Sequence, residues 1–197
     1  MELVKAIEHV VRINEHICDF WGNGGWAPSS AAEMLSKSRL DWQVSLSKNL
    51  SRWLPVPDED EHDGSLILAW VNLGVLVEGT MMWFLCVFHE DYSSYPIMKK
   101  GKAVEPDEIR FSDLCRFFQN TVWTKNQKDK WEPFVNLVRE RRNAIHAYKD
   151  RPIGSFDEFY KAVLTYRNFM LDLEGQVPYP DEQYSYPADI SKMRQSD

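Results

Sequence analysis

A chain of 197 residues that is 44% hydrophobic, with eight Trp, ten Phe and eight Tyr, suits one domain built around a single sizeable core. Its formal net charge of −7 excludes a surface that coats nucleic acid indiscriminately, because such affinity comes from neutralising many phosphates at once. Cys18, Cys86 and Cys115 are odd in number, far apart and set among apolar residues, so they read as reduced core thiols of a cytosolic protein and not as a disulfide framework.

Taken in chain order, Leu3, Ile7, Val10, Val11, Ile17 and Phe20 recur at helical spacing and predict a helix over 2–21 that Gly22-Asn23-Gly24-Gly25 stops. The same segment alternates charge with apolar residues and lacks the unbroken apolar run of a secretory signal. Ser30-Ala31-Ala32-Glu33 has the capping-box pattern and predicts a helix over 31–54, ended by Pro55-Val56-Pro57. The acidic run that follows, to Gly64, reads as a solvated connector.

Residues 66–88 are almost entirely apolar and long enough to cross a bilayer. Asn72 and Glu78 interrupt them, however, and the flanks at 58–63 and Glu90-Asp91 are acidic, with no Lys/Arg bias to orient a span. The segment therefore predicts the buried central helix of a bundle, over 65–90, in a protein that does not enter the membrane.

A loop over 92–107 carries Lys99-Lys100-Gly101-Lys102, a cluster that could touch phosphate or, more simply, forms an exposed turn, and a short element over 112–122 supplies Leu114, Cys115, Phe117 and Phe118 for packing. After a polar loop at 124–128, Asp129 is the expected N-cap of a helix to 149 with Phe134, Val135, Val138 and Ile145 as its core stripe. Gly154-Ser155-Phe156-Asp157-Glu158 is a second capping box, opening a helix to 174 that buries Phe159, Val163, Tyr166, Met170 and Leu173. No convincing strand and no repeat appears. The fold class predicted is all-α, an antiparallel bundle of four to five helices with an extra N-terminal helix, forming one domain over 1–175; residues 176–197, rich in Pro, Tyr and acid, form an irregular tail or strap.

The chemistry concentrates in Arg139-Glu140-Arg141-Arg142-Asn143-Ala144-Ile145-His146-Ala147-Tyr148. Arginine offers a fixed fork of donors for phosphate oxygens, and histidine is the side chain best placed to move protons near neutral pH. The plainer alternative is a solvated helix end, where the macrodipole favours cations. On an ideal helix Arg142 and His146 point within about 40° of each other. Arg139 joins them in one stripe with Asn143 at its edge, and Arg141 lies across the apolar face. That stripe borders the core stripe, where a partner helix or second subunit could close over it.

These residues resemble the HEPN domain superfamily, whose signature is an arginine, four residues and a histidine near the end of a bundle helix. Arg141 and His146 fit that spacing, and Arg139 with His146 fits its longest form. Arg141, His146 and Tyr148 also match the Arg-x4-His-x-Tyr pattern of HEPN toxins paired with minimal nucleotidyltransferase antitoxins. The all-α content and a motif helix placed next to last are similar to the HEPN arrangement over about 31–174. In many members the polar residue directly follows the motif arginine, whereas here Asn143 follows Arg142. Family spacing thus prefers Arg141 as the catalytic arginine and helix geometry prefers Arg142.

The resemblance implies a cytoplasmic, metal-independent endoribonuclease that needs no cofactor, a toxin or phage-defence component acting on single-stranded RNA or tRNA at the interface of a homodimer. It implies catalytic roles for Arg141 or Arg142 and His146, support from Arg139 and Asn143, and AMPylation of Tyr148 by a nucleotidyltransferase antitoxin. The rival reading is a non-catalytic bundle of the same type that binds a nucleotide, nucleic acid or partner protein.

Elsewhere, His9 and His16 with Cys18, and His89 with Glu90 and Asp91, lack metal-ligand spacing, so no metal is assigned. Glu78, a carboxylate in the apolar helix, has to stay protonated or find a cation. That cation comes either from any neighbouring helix or from the motif itself. Trp21, Trp26 and Trp42 suit base stacking or, more simply, the core.

Overall fold

Apolar side chains at helical period close the N-terminal segment into α1 (Glu2–Trp21), which buries Ile7, Val10, Ile13 and Ile17. The computed structural model describes residues 2–22, 27–55, 57–180 and 184–195. Most of the expected stop after α1, and Trp26 with it, lies outside the described residues. The described chain is all-α apart from one small hairpin.

At its centre lies α4 (His62–Val87), apolar on every side, with 15 of its 26 residues buried. It is long and apolar enough to cross a membrane by length and composition, yet here it packs against α7 (Lys125–Arg142) and α8 (Phe156–Glu174), as a core helix does. α1 packs on α8 from the other side, and α3 (Leu40–Lys48) bridges α1 and α4. Polar groups in this core find partners: Trp70 Nε1 donates to the Ile153 carbonyl at 2.9 Å, and the Thr80 and Tyr166 hydroxyls share a 2.8 Å hydrogen bond.

The single helix expected over 31–54 is three pieces: α2 (Ser29–Lys37), α3, and a 3-10 turn at Asn49–Trp53. Ser38 leaves helical geometry at ψ 148° and its hydroxyl donates to the Leu35 carbonyl at 2.6 Å, the local competition by which serine breaks helices. Nor is the Ser30 capping box formed. Pro28 is the N-cap, Ser30 Oγ lies 3.2 Å from His89 Nδ1, and Glu33 pairs with Lys37.

Phe88 (φ −96°, ψ 37°) ends α4 and separates it from α5 (His89–Ser94), so the central helix stops short of its expected end. Within the expected loop, β1 (Met98–Lys99) and β2 (Lys102–Ala103) pair antiparallel across Lys100 and Gly101, both at positive φ. That is the two-residue turn whose twist suits a hairpin. α6 (Phe111–Phe117) and a π-helical turn at Phe118–Val122 form the short packing element.

The tail is not irregular throughout: α9 (Ala188–Gln195) buries Ile190 and Met193 and packs on α1, with Arg12 and Asp189 paired at 2.6 Å. Beneath it His16 lies against the Tyr179 and Tyr184 hydroxyls, each 3.1 Å from a ring nitrogen, and its Nε2 is 3.6 Å from the Glu174 carboxylate. Burial lowers the His16 pKa below its ordinary value and Arg12 adds to this, against the raising pull of Glu174, Asp19 and Asp189. The unfolded chain then binds the proton first, so stability falls as pH drops below about 6.5 toward the folded-state value. His16→Gln should flatten that fall, as read from unfolding midpoints at pH 7.5 and 5.5, each about one unit from the free imidazole pKa. An unchanged slope would move the titration elsewhere.

Candidate functional site at the end of α7

Two expectations about α7 change. It begins at Lys125, capped by Thr124, whose Oγ1 accepts from the Gln127 N–H while the Gln127 side chain reaches back. The polar run expected as a loop is therefore its first turn. It ends at Arg142, is followed by a 3-10 turn at Asn143–Ile145, and His146 leaves helical geometry at ψ 71°. The ideal-helix stripe therefore does not extend to His146 or Tyr148.

Arg141 explains where the chain turns. Its Nε donates to Glu158 Oε1 at 2.6 Å, Nη2 to Glu158 Oε2 at 3.3 Å, and Nη1 to the Pro152 carbonyl at 2.7 Å. One guanidinium thus clamps the first turn of α8 and the incoming loop to the end of α7. Gly154, at φ 75°, makes the bend beside this clamp. Ser155 caps α8 as expected by accepting from the Glu158 N–H, but the Glu158 side chain serves Arg141 in place of the backbone.

Arg142 crosses α4. A Cβ added to Gly74 would sit 2.8 Å from its Cγ, so the absence of a side chain there lets the arginine stem lie flat on the central helix. Its Nη2 then reaches Glu78 Oε2 at 2.8 Å, and the guanidinium stands 5.5 Å from the centre of the Phe111 ring. Burial raises the Glu78 pKa, while Arg142 and the Phe111 N–H pull it back. The cation that Glu78 needed is thus both a neighbouring helix's arginine and a motif residue.

Arg139 is different. Its Nε is buried without a hydrogen-bond partner, and no described carboxylate pairs with it. Nearby, burial pushes the Cys115 thiol up to about 12 despite the opposing pull of Arg139, which rules Cys115 out as a nucleophile near neutral pH. Cys86, also at about 12 through burial, is equally inert. All three cysteines are free thiols.

Beyond the helix, Ala144 is buried against the bundle and Asn143 is half-buried; Ile145, expected in the core stripe, is exposed because the helix has ended before it, and His146 and Tyr148 are exposed with it. Tyr148 is solvated over its whole surface. Of the motif side chains, Arg141 and Arg142 are held in ion pairs, Arg139 and Asn143 are half-buried, and His146 is exposed. Trp21 is a core residue, and Trp42 is exposed beneath the Arg39 guanidinium at 4.0 Å. His89 pairs with Glu105, and among the described residues no cluster of three or more His, Cys, Asp or Glu side chains could hold a metal.

Sequence reasoning missed Gly74, Pro152 and Glu158, the residues that place the arginines. Glu158 carried a signal, a carboxylate in the first turn of the next helix, but the capping pattern gave it another partner. Comparison with protein-family models, curated proteins and solved structures finds no match.

Proposed function

We propose that the protein is a metal-independent endoribonuclease of HEPN type, working in the cytoplasm as a homodimer on single-stranded RNA or tRNA. The observation that carries this reading is an exposed imidazole, His146, following an arginine cluster in which Arg139 has no counter-ion. In the proposed reaction the ribose 2′-oxygen attacks phosphorus and the bond to the 5′-oxygen breaks. One His146 takes the 2′-OH proton, and the His146 of a second copy protonates the departing oxygen, leaving a 2′,3′-cyclic phosphate.

Arg139 is the guanidinium left over to stabilise the added charge on phosphorus, with Asn143 orienting the phosphate. Arg141, which family spacing prefers, and Arg142, which helix geometry prefers, serve in this reading by fixing the turn that carries His146. The full exposure of Tyr148 suits AMPylation by a nucleotidyltransferase antitoxin, which would add bulk and negative charge beside the arginines.

One observation favours the second reading, a non-catalytic bundle that binds a nucleotide, nucleic acid or partner protein: two of the three arginines are already held in ion pairs. RNA cleavage in the presence of EDTA, compared between the parent and His146→Ala, separates the two.

A further inference from the structure

A concavity lies farther along α4, six to ten residues past Glu78, or about 9–15 Å of helical rise. Phe84, Phe88, Tyr92, Tyr95 and Phe117 wall a cavity of about 310 Å³. Phe84 and Phe88 stand 4.8 Å apart, tilted by 44°, and Tyr92 meets Phe117 edge-on at 5.3 Å. Neither pair is stacked face to face, and all five rings line the opening. The wall is also rigid: Phe84 and Tyr92 are buried, and the Tyr92 hydroxyl donates to the Val104 carbonyl and accepts from the Ile97 N–H. Tyr95, 79% exposed, stands at the mouth.

The formal charge in the lining of this cavity is of one sign. Asp91, exposed, is the one charged residue of the lining; no Lys, Arg or His contributes to it. Gln176 donates its amide N–H to the Asp172 carbonyl at 2.8 Å, which leaves its own carbonyl oxygen as an acceptor, and the Thr121 hydroxyl adds another. Aromatic faces attract cations through their quadrupole, and a carboxylate beside them supplies the counter-charge. An anion meets no donor of full charge here, and a neutral hydrocarbon makes no use of Asp91. The volume sits at the small end of ligand pockets, suited to a small ion.

We propose that this cleft binds a small organic cation of the alkylammonium class, its charged head among Phe88, Tyr92, Tyr95 and Phe117 and paired with Asp91. The test titrates the full chain by calorimetry with choline and with its neutral carbon analogue, 3,3-dimethylbutan-1-ol. Choline should bind saturably, the alcohol about tenfold more weakly or worse, and the preference should shrink in Asp91→Asn. Tyr95→Ala, which removes an exposed ring and leaves the core intact, should weaken choline several-fold. Equal binding of both probes, no binding of choline, or parent-like choline affinity in both variants would overturn the proposal. A third arm uses phosphatidylcholine vesicles, which carry the same head group: co-sedimentation with vesicles and no binding of free choline would also overturn it, in favour of a lipid surface.

Discussion

With EDTA present the protein should cut single-stranded RNA to fragments ending in a 2′,3′-cyclic phosphate, and His146→Ala should cut at least about 100-fold more slowly. The exposure of His146 makes this result interpretable. Its side chain is exposed, so the substitution should leave the unfolding midpoint nearly unchanged and any loss belongs to proton transfer. The arginines should separate in the opposite sense. Arg139→Ala removes the motif arginine that forms no ion pair among the described residues and should slow cleavage by about 100-fold. Arg141→Ala leaves Glu158 and the Pro152 carbonyl without their donor, a loss of about 2 kcal/mol, or about 4–8 °C in midpoint for a chain of this size. Cleavage per folded Arg141→Ala molecule should fall less than in Arg139→Ala, because Arg141 positions the turn that carries His146 and does not itself touch the phosphate. A parent-like rate in His146→Ala would sink the catalytic assignment, and RNA binding without cleavage by the parent would move the function to the binding module.

Periodic patterns were legible in the sequence because they are local. The stripes of α1 and α8, the apolar surround of α4, the Ser155 cap, and Phe134, Val135 and Val138 in α7 all lie in the core or cap positions their spacing implies. Boundaries decided by competition were not. Asp129 looked like an N-cap by residue type, yet α7 begins at Lys125, and Pro133 lies inside it on an exposed face, where water can serve the carbonyl it leaves unpaired. The far end of α7 was illegible for a different reason. Its extent depends on Arg141 meeting a carbonyl eleven residues on and a carboxylate seventeen residues on, and no periodicity encodes such a contact. Gly74 was silent in the same way: within an apolar helix it is one more small residue, until a second helix crosses it with an arginine stem. The motif composition was therefore readable in the sequence, whereas the division between tied and untied arginines required the fold.

Glu174→Ala should lower the unfolding midpoint by about 10 °C, corresponding to about 3–5 kcal/mol in a chain of this length. Glu174 closes α8 with its side chain wholly buried. Its Oε2 accepts from the Tyr186 hydroxyl at 2.6 Å and from Arg194, while His16 approaches its other oxygen. One carboxylate thus gathers α1, the segment after α8, and α9. Removing it leaves a guanidinium and a phenol without their acceptor and opens a cavity in their midst. Glu174→Gln, which can still accept from Tyr186 but carries no charge, should fall between Ala and the parent. The comparison that isolates burial is Asp189→Ala, which breaks the Arg12 pair on the surface of the same helix; an exposed pair is worth at most about 1 kcal/mol. Limited proteolysis should then cleave Glu174→Ala within 176–195 well before the parent and spare Asp189→Ala. If Glu174→Ala melts with Asp189→Ala and resists protease as the parent does, the buried carboxylate does not hold α9 to the bundle.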